Sequence, residues 1–465
     1  MEEWAKKAFI EEKKKRKVPL ELKKIRGNYY LCRVSSVWDS KRGRARKISG
    51  EYLGRMTKQG LVAAGIKRNV RSVFEYGNAR LLYNMAEEII PLLKEAFQRE
   101  WKEIIAMAIV KVIRDTPIKM VKSVWEKTYL CNEIEAALSP NTLSEKLRNV
   151  GSDWSSQSEF FRKLMRKSEY LLFDMSSIFS RSENLNFAEK GHNPDHLYVR
   201  QVNMALFFDE KRKIPVMLKP MPGSIRDVKA LRKAVEEAYL PSCIVVMDRG
   251  FASYDVAELL QENKMRFILP LRRNFKAADY DLQLKDAFVF RKRGIKWARY
   301  SFNEKFIYMY EDVILRAEEE TTKIALKEEE NPKRLDERRF GKIAILSNLD
   351  MNGKKLFLLW KEREDVEQAF DALKNELEID KAYLREDDGL MGYFFVSFIS
   401  LYLYHRVLDI LRKKDVISDM SVKELLFELS KSYLIKYGDG RTRFSETPRK
   451  IEELDGKLGL NILPN

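Results

Sequence analysis

From Val73 to about Lys167, apolar residues recur at i, i+3 and i+4, as in NARLLYNMAEEIIPLLKEAF and EWKEIIAMAIVKVIRD, which predicts a block of helices. Ser139, Pro140, Asn141 and Thr142 offer a cap and first turn for the helix TLSEKLRNVG. At Glu169 the period shortens to that of strands. YLLFDMSS is an apolar run ending in Asp174, and RQVNMALFF and IPVMLK flank a polar turn at Asp209 to Lys213 like a hairpin. A helix follows in IRDVKALRKAVEEAYL, then a fully apolar strand ending in Asp248 (CIVVMDRG), a helix (ASYDVAELLQENK) and a strand (RFILPL). The order β, β, β, α, β, α, β predicts an α/β fold: a mixed sheet with helices against it.

Residues 275 to 359 read differently. AFVFRK, WARYSF, FIYMYEDVIL, KIAILSN and KLFLLW are aromatic and β-branched runs between charged turns, one of them EEENPKRLDERRFG, so a strand-rich insertion with an exposed loop is expected. Next comes WKEREDVEQAFDALK, where Trp360, Arg363, Glu367 and Lys374 fall at steps of three, four and seven. Those steps put all four on one face of a continuous helix. The uncharged stretch from Leu390 to Tyr404 is shorter than the roughly 20 residues of a membrane span, and reads as a buried helix. The expected parts are a basic β-containing module (1–75), a helical DNA-binding region (76–167), a catalytic core in two parts (168–274 and 360–412) around a β-rich insertion (275–359), and a helical C-terminal segment (413–465).

Charge changes the picture by naming a partner. The 465 residues carry a formal net charge of +17, and residues 1–75 hold 21 Lys and Arg against 8 Asp and Glu, so +13 of it lies there. Such an asymmetric basic end implies a polyanion, and the first module reads as a nucleic-acid grip in which Lys41, Arg42, Arg44, Arg46 and Lys47 contact the DNA backbone. Cys32, Cys131 and Cys243 show no CxxC spacing, which argues against a disulfide framework or a cysteine-rich zinc site and suits a reducing cytoplasm. The opening MEEWAKKAFIEEKKKRK lacks an uninterrupted apolar core and is not expected to be a secretory signal.

Asp174 and Asp248 each end a hydrophobic run, and if their strands are neighbours the two carboxylates reach one cation or a pair of them. Glu367, on a helix crossing the sheet, is the candidate third acid. Three carboxylates without His or Cys ligands select Mg²⁺ or Mn²⁺ over zinc, and two such ions suit phosphoryl transfer. Arg363 and Lys374 would then orient phosphate oxygens, Arg363 with a fork of two donors.

Asp174, Asp248 and Glu367, with the strand-rich stretch before the Glu, resemble the acidic triad of the DDE transposases of insertion sequences. The Trp360, Arg363, Glu367, Lys374 spacing is similar to the Tyr-Arg-Glu-Lys signature of the insertion sequence four group, with Trp in place of Tyr. GHNPDHLYVRQVNMALFFDEKRKIPV, PGSIRD and VMDRGF resemble further family segments, with Ser224 where Asn is usual. The resemblance covers roughly residues 170–410 and extends more loosely to YYLCRVSSVWDSKRGRARKISGEYLG. It implies an RNase H-like mixed-sheet catalytic core and binding to the element's terminal inverted repeats. It also implies metal-dependent cleavage, strand transfer into target DNA, a dimeric synapse and a prokaryotic, nucleoid-associated setting. On it, Asp174, Asp248 and Glu367 are catalytic metal ligands, and Trp360, Arg363 and Lys374 are DNA contacts; Arg249, directly after Asp248, reads as a contact to DNA phosphate or as a structural ion pair.

Other residues carry weaker signals. His192, Asp195 and His196 echo a zinc motif, but Gly191 and Pro194 make the segment a loop in which helical ligand geometry fails. Asp209 and Asp227 read as turn or cap residues, and Asp371 as a solvated helix position or a support for Glu367. Trp38, Trp125 and Trp154 suit either base stacking or a core. Two other function classes stand beside the transposase: a transposase-derived DNA-binding protein without chemistry, and a structure-specific nuclease on the same core.

Overall fold

The structure, a computed structural model of the chain, describes residues 2–39, 42–63, 70–180, 184–191, 199–225, 229, 231–234, 243–328, 336–379, 384 and 386–463. Two compact units result. One comprises Met1–Ser72 with Lys436–Thr442, and the other Val73–Ile435 with Arg443–Asn465.

The first unit begins with a helix, Glu3–Arg16, that apolar periodicity did not announce. Its charges favour it: Glu3 lies in the first turn and Lys13 to Arg16 in the last, each complementing the helix dipole. Strands β1 (Leu20–Ile25), β2 (Asn28–Asp39), β3 (Arg44–Thr57) and β4 (Gly60–Ala63) follow as an antiparallel meander. Their small core is Tyr29, Leu31 and Met56 with Ala5 of the helix, and Trp4 meets Tyr29 edge to face at 5.4 Å.

Strand β5 (Val70–Glu75) spans the boundary at Ser72 and leads into the helices of residues 77–165 in the second unit. Ser139 caps Pro140–Ser152 as the sequence predicts, accepting from the Thr142 N–H at 3.2 Å. These helices belong to the same hydrophobic core as the sheet. Trp101–Ile113 is buried almost all round, so this helix of the block is a core element. Gly151 and Gly392 let the Pro140–Ser152 and Asp387–Lys413 helices cross at backbone contact, since a Cβ on Gly392 would stand 1.9 Å from the Leu147 carbonyl oxygen.

The sheet strands are β6 (Tyr170–Phe179), β7 (Glu189–Lys190), β8 (Arg200–Asp209), β9 (Ile214–Pro222), β10 (Ile244–Met247), β11 (Arg266–Pro270), β12 (Asp286–Phe290), β13 (Arg293–Phe302), β14 (Lys305–Asp312) and β15 (Lys342–Ser347). Their order is β12-β13-β14-β15-β11-β10-β6-β8-β7, with β9 also on β8. β10 runs parallel to β6 and β11, and the other pairs are antiparallel. Consecutive residues of β8 are buried, so both faces of the sheet are covered.

The expected strand-rich stretch runs from β12 to β15, and because β15 pairs with β11 it extends the same sheet. Two expectations change. KLFLLW is helical, within Gly353–Lys361, because Asn352 accepts from the Lys354 and Lys355 N–H groups and starts a helix there. A helix, Val313–Glu328, replaces the end of the run FIYMYEDVIL. The Asp387–Lys413 helix is the one among the described residues long and apolar enough to span a membrane, and 72% of its apolar window is buried in the protein.

Candidate active site

Asp174 is not at a strand end. β6 runs on to Phe179, and Asp174 lies opposite Leu206 of β8. The parallel neighbour does end there: Met247 pairs with Phe173, so Asp248 leaves β10 beside Asp174. Asp248 caps the short turn Arg249–Phe251, accepting from the Gly250 N–H at 3.3 Å. Parallel pairing of two apolar strands thus sets the two acids side by side.

The stripe of four residues is broken. Gly353–Lys361 ends and a second helix, Glu364–Asp371, begins with Arg363 at its N-cap. Glu364, Asp365 and Glu367 all lie in its first turn, where the dipole favours negative charge, so EREDVE restarts a helix rather than continuing one. Trp360, in the earlier helix, is 5% exposed and packs against Phe357 at 5.4 Å. It is a core residue, which corrects its assignment as a DNA contact. Lys374 lies partly buried in a π-helical turn, Ala372–Glu376, that changes the angular step after Glu367.

Arg363 draws the acids together. One terminal nitrogen donates to Asp248, and the other lies 3.2 Å from Glu367 Oε1. Asp174 is pushed up to about 7, first by burial and then by the negative charges of Asp248 and Glu367, against the Met175 N–H and Arg363. Its own Oδ1 accepts from that N–H at 2.8 Å. Asp174, Asp248, Glu367 and Arg363 therefore form one electrostatic cluster.

The supporting residues were missed by sequence reasoning. Lys213, in the β8–β9 turn, contacts Glu210 (3.2 Å), Glu362 (3.0 Å) and Asp365 (2.8 Å), and Arg412 reaches Asp365 (3.3 Å) and Gln368. Against burial, which lowers it, the hydrogen bond and charge of Asp365 hold the Lys213 ammonium above its ordinary range. The pairing joins residues about 150 apart in sequence, and only the charged turn and the acidic helix start hint at it.

The remaining expectations sort by position. Arg249 is exposed beside Asp248 and makes no ion pair among the described residues. Arg42, Arg44, Arg46 and Lys47 are exposed in the first unit, Lys47 paired with Glu21 at 2.8 Å. Lys41, His192, Asp195, His196 and Asp227 lie outside the described residues. Asp209 is fully buried and accepts from Ser168 (2.6 Å) and the Arg212 N–H (2.9 Å), a turn role as expected. Asp371 is exposed and accepts from Asn375. Trp38 is exposed, Trp125 buried, and Trp154 lies under the Lys219 ammonium at 4.1 Å. None of the three cysteines forms a disulfide among the described residues.

Among the described residues, no group of three or more His, Cys, Asp or Glu side chains stands at metal-binding spacing. The donor chemistry still suits a hard divalent cation. The three carboxylates share one electrostatic cluster without thiol or imidazole, and a cation would offset the burial and the repulsion that raise Asp174. In this arrangement the Arg363 guanidinium supplies the positive charge.

Residues 169–403 match the family model described as "Transposase DDE domain". The chain belongs to the DDE transposase family. It is a DDE-type transposase, an enzyme with DNA as its partner, of a family whose members use divalent metal ions, generally Mg²⁺. No curated protein matches the chain. A solved structure, "Cryo-EM structure of piggyBac transposase synaptic complex with hairpin DNA (SNHP)", aligns over 86% of this chain and 87% of that one, at 13% identity and a TM-score of 0.38.

Proposed function

We propose that the chain is the transposase of an insertion sequence of the four group: it binds the element's terminal inverted repeats, cleaves there and joins the ends to target DNA. The observation that carries the site is the meeting of Asp174, Asp248 and Glu367 around Arg363 where β10 ends against β6. The order β9-β8-β6-β10-β11, antiparallel in its first three strands and parallel in its last three, supports an RNase H-like core.

Asp174, Asp248 and Glu367 are the residues to hold two Mg²⁺ or Mn²⁺ ions. When bound, such ions activate an attacking oxygen and stabilise a leaving one. Arg363, relieved of the two carboxylates, turns its fork to a phosphate. Arg249 and Lys374 are candidates for flanking phosphates, and the basic first unit grips the duplex. A homodimer would hold two ends in one synapse, in a prokaryotic cytoplasm.

The test is a cleavage and joining assay on a duplex carrying the inverted repeat that flanks the coding DNA. Asp174→Asn, Asp248→Asn and Glu367→Gln should each lower Mg²⁺-dependent cleavage about a thousand-fold or more, the loss of some 4 kcal/mol of transition-state stabilisation, while sparing end binding. A variant that still cuts would remove its residue from the site, and cleavage without joining would favour a nuclease.

A further inference from the structure

Among the described residues, the ends of β2 and β3 pair as strands only with each other. β1 pairs with β2 only as far as Arg33, and β4 pairs with β3 only over Gly54–Thr57. Beyond those limits, Ser35–Asp39 and Arg44–Ile48 form a two-stranded ribbon reaching about 17 Å at 3.3 Å per residue. Opposed residues share a face, so Val37 with Arg46, Asp39 with Arg44 and Ser35 with Ile48 make one side, and Trp38 with Ala45 and Ser36 with Lys47 the other.

The ribbon is built to be covered. Val37 is 55% exposed, Trp38 67% and Ile48 43%, and a bare two-stranded ribbon is marginal in water. The side holding Val37 and Ile48 also carries Arg44 and Arg46, exposed and without an ion pair among the described residues, whereas Lys47 on the other side is paired with Glu21. A grip on phosphate alone would have no use for exposed Val37 and Ile48. Two guanidinium forks beside branched apolar groups do match the floor of a DNA major groove, where Arg takes guanine O6 and N7 and an apolar group meets the thymine methyl. That groove admits a two-stranded ribbon, while the deep, narrow major groove of duplex RNA does not.

We infer that the β2–β3 ribbon enters the major groove of duplex DNA with Val37, Arg44, Arg46 and Ile48 towards the base edges, and so reads sequence. This rests on the reading of the first unit as a DNA grip.

The experiment uses the full-length protein in EDTA and a pool of randomised 30-base-pair duplexes. Wild type should enrich a guanine-containing sequence, with methylation of guanine N7 interfering with binding. Arg44→Ala with Arg46→Ala should weaken binding to the selected duplex roughly 10- to 100-fold and to an unrelated duplex only a few-fold. Arg46→Lys, which keeps the charge and loses the fork, should lose preference at one position and keep non-specific binding. Lys13→Ala, on the first helix, should affect both duplexes equally. Equal losses on both duplexes from the arginine changes, interference at adenine N3 instead of guanine N7, or equal binding to duplex RNA of the selected sequence would each overturn the inference. In those cases DNA binding itself stands, whereas a wild type that retains no duplex overturns the DNA-grip reading as well.

Discussion

At the scale of single residues, Arg363 balances the charge of the acids it joins. It is 28% exposed, and Asp248 and Glu367 are 38% and 49% exposed, so solvent screens the pairing to no more than about 1 kcal/mol. Removing it should relieve competition for the carboxylates: Arg363→Ala should tighten Mn²⁺ binding in the absence of DNA by less than about tenfold, read by electron paramagnetic resonance titration. Weaker Mn²⁺ binding would mean that Arg363 assembles the acids instead of competing for them. His405 makes a second residue-scale case. It is buried against Phe208 with neither ring nitrogen partnered among the described residues, and burial first, then Arg412, pushes it down to about 3 from 6.5. The unfolded chain takes up a proton that the folded one refuses, so stability is full above about pH 6.5 and falls as pH drops towards 3. His405→Leu should flatten that fall, with a relative gain of about 2 kcal/mol at pH 5 in denaturant midpoints, and an unchanged pH profile would contradict the buried neutral ring. Asp174 and Asp248 stand out in the sequence because an apolar run ending in Asp is a local pattern. Trp360 was not: its spacing suits one continuous helix, and only the acidic turn after it, a competing local signal, breaks the stripe.

At the scale of elements, the Glu364–Asp371 helix is held from two sides through Asp365, which is only 13% exposed and lies between Lys213 and Arg412. Asp365→Asn should cost about 1–3 kcal/mol of stability, because it leaves two cations short of a partner. Since Asp365 acts through Glu367 and its helix, the change should lower the cleavage rate while leaving the dissociation constant for end DNA as it was. A variant that lost binding and rate together would point to a direct DNA contact instead. Local period and turn chemistry foretold strands β6, β8, β9, β10 and β11, the hairpin at Asp209 to Lys213 and the Ser139 cap, since each is decided within a few residues. They did not foretell that β15 would pair with β11, or that KLFLLW would be helical. The first depends on a partner more than 70 residues away, and the second on one Asn capping a run that suits either state. The Glu3–Arg16 helix escaped because charge placement, and not an apolar stripe, carries its signal.

At the scale of the whole molecule, charge and core are distributed unequally. Residues 1–75 hold most of the net positive charge, yet the first unit rests on the few buried side chains around Tyr29, Leu31 and Met56, while the second has an extensive core of its own. A unit of that size buries little apolar surface per residue and is marginally stable, so the chain should not melt as one. Calorimetry should resolve a small early transition and a large later one, with Leu31→Ala lowering only the first, by about 2–5 kcal/mol in stability. The same measurement tests where DNA is held. A ligand bound only by the folded form of a unit stabilises that unit, by about 2.7 kcal/mol at a hundred times its dissociation constant. Saturating duplex DNA in EDTA should therefore raise the early transition more than the late one, and added salt should cancel the gain as counterions compete for the phosphates. If DNA raised only the late transition, the grip would lie on the catalytic unit, and the basic first unit would need another polyanion.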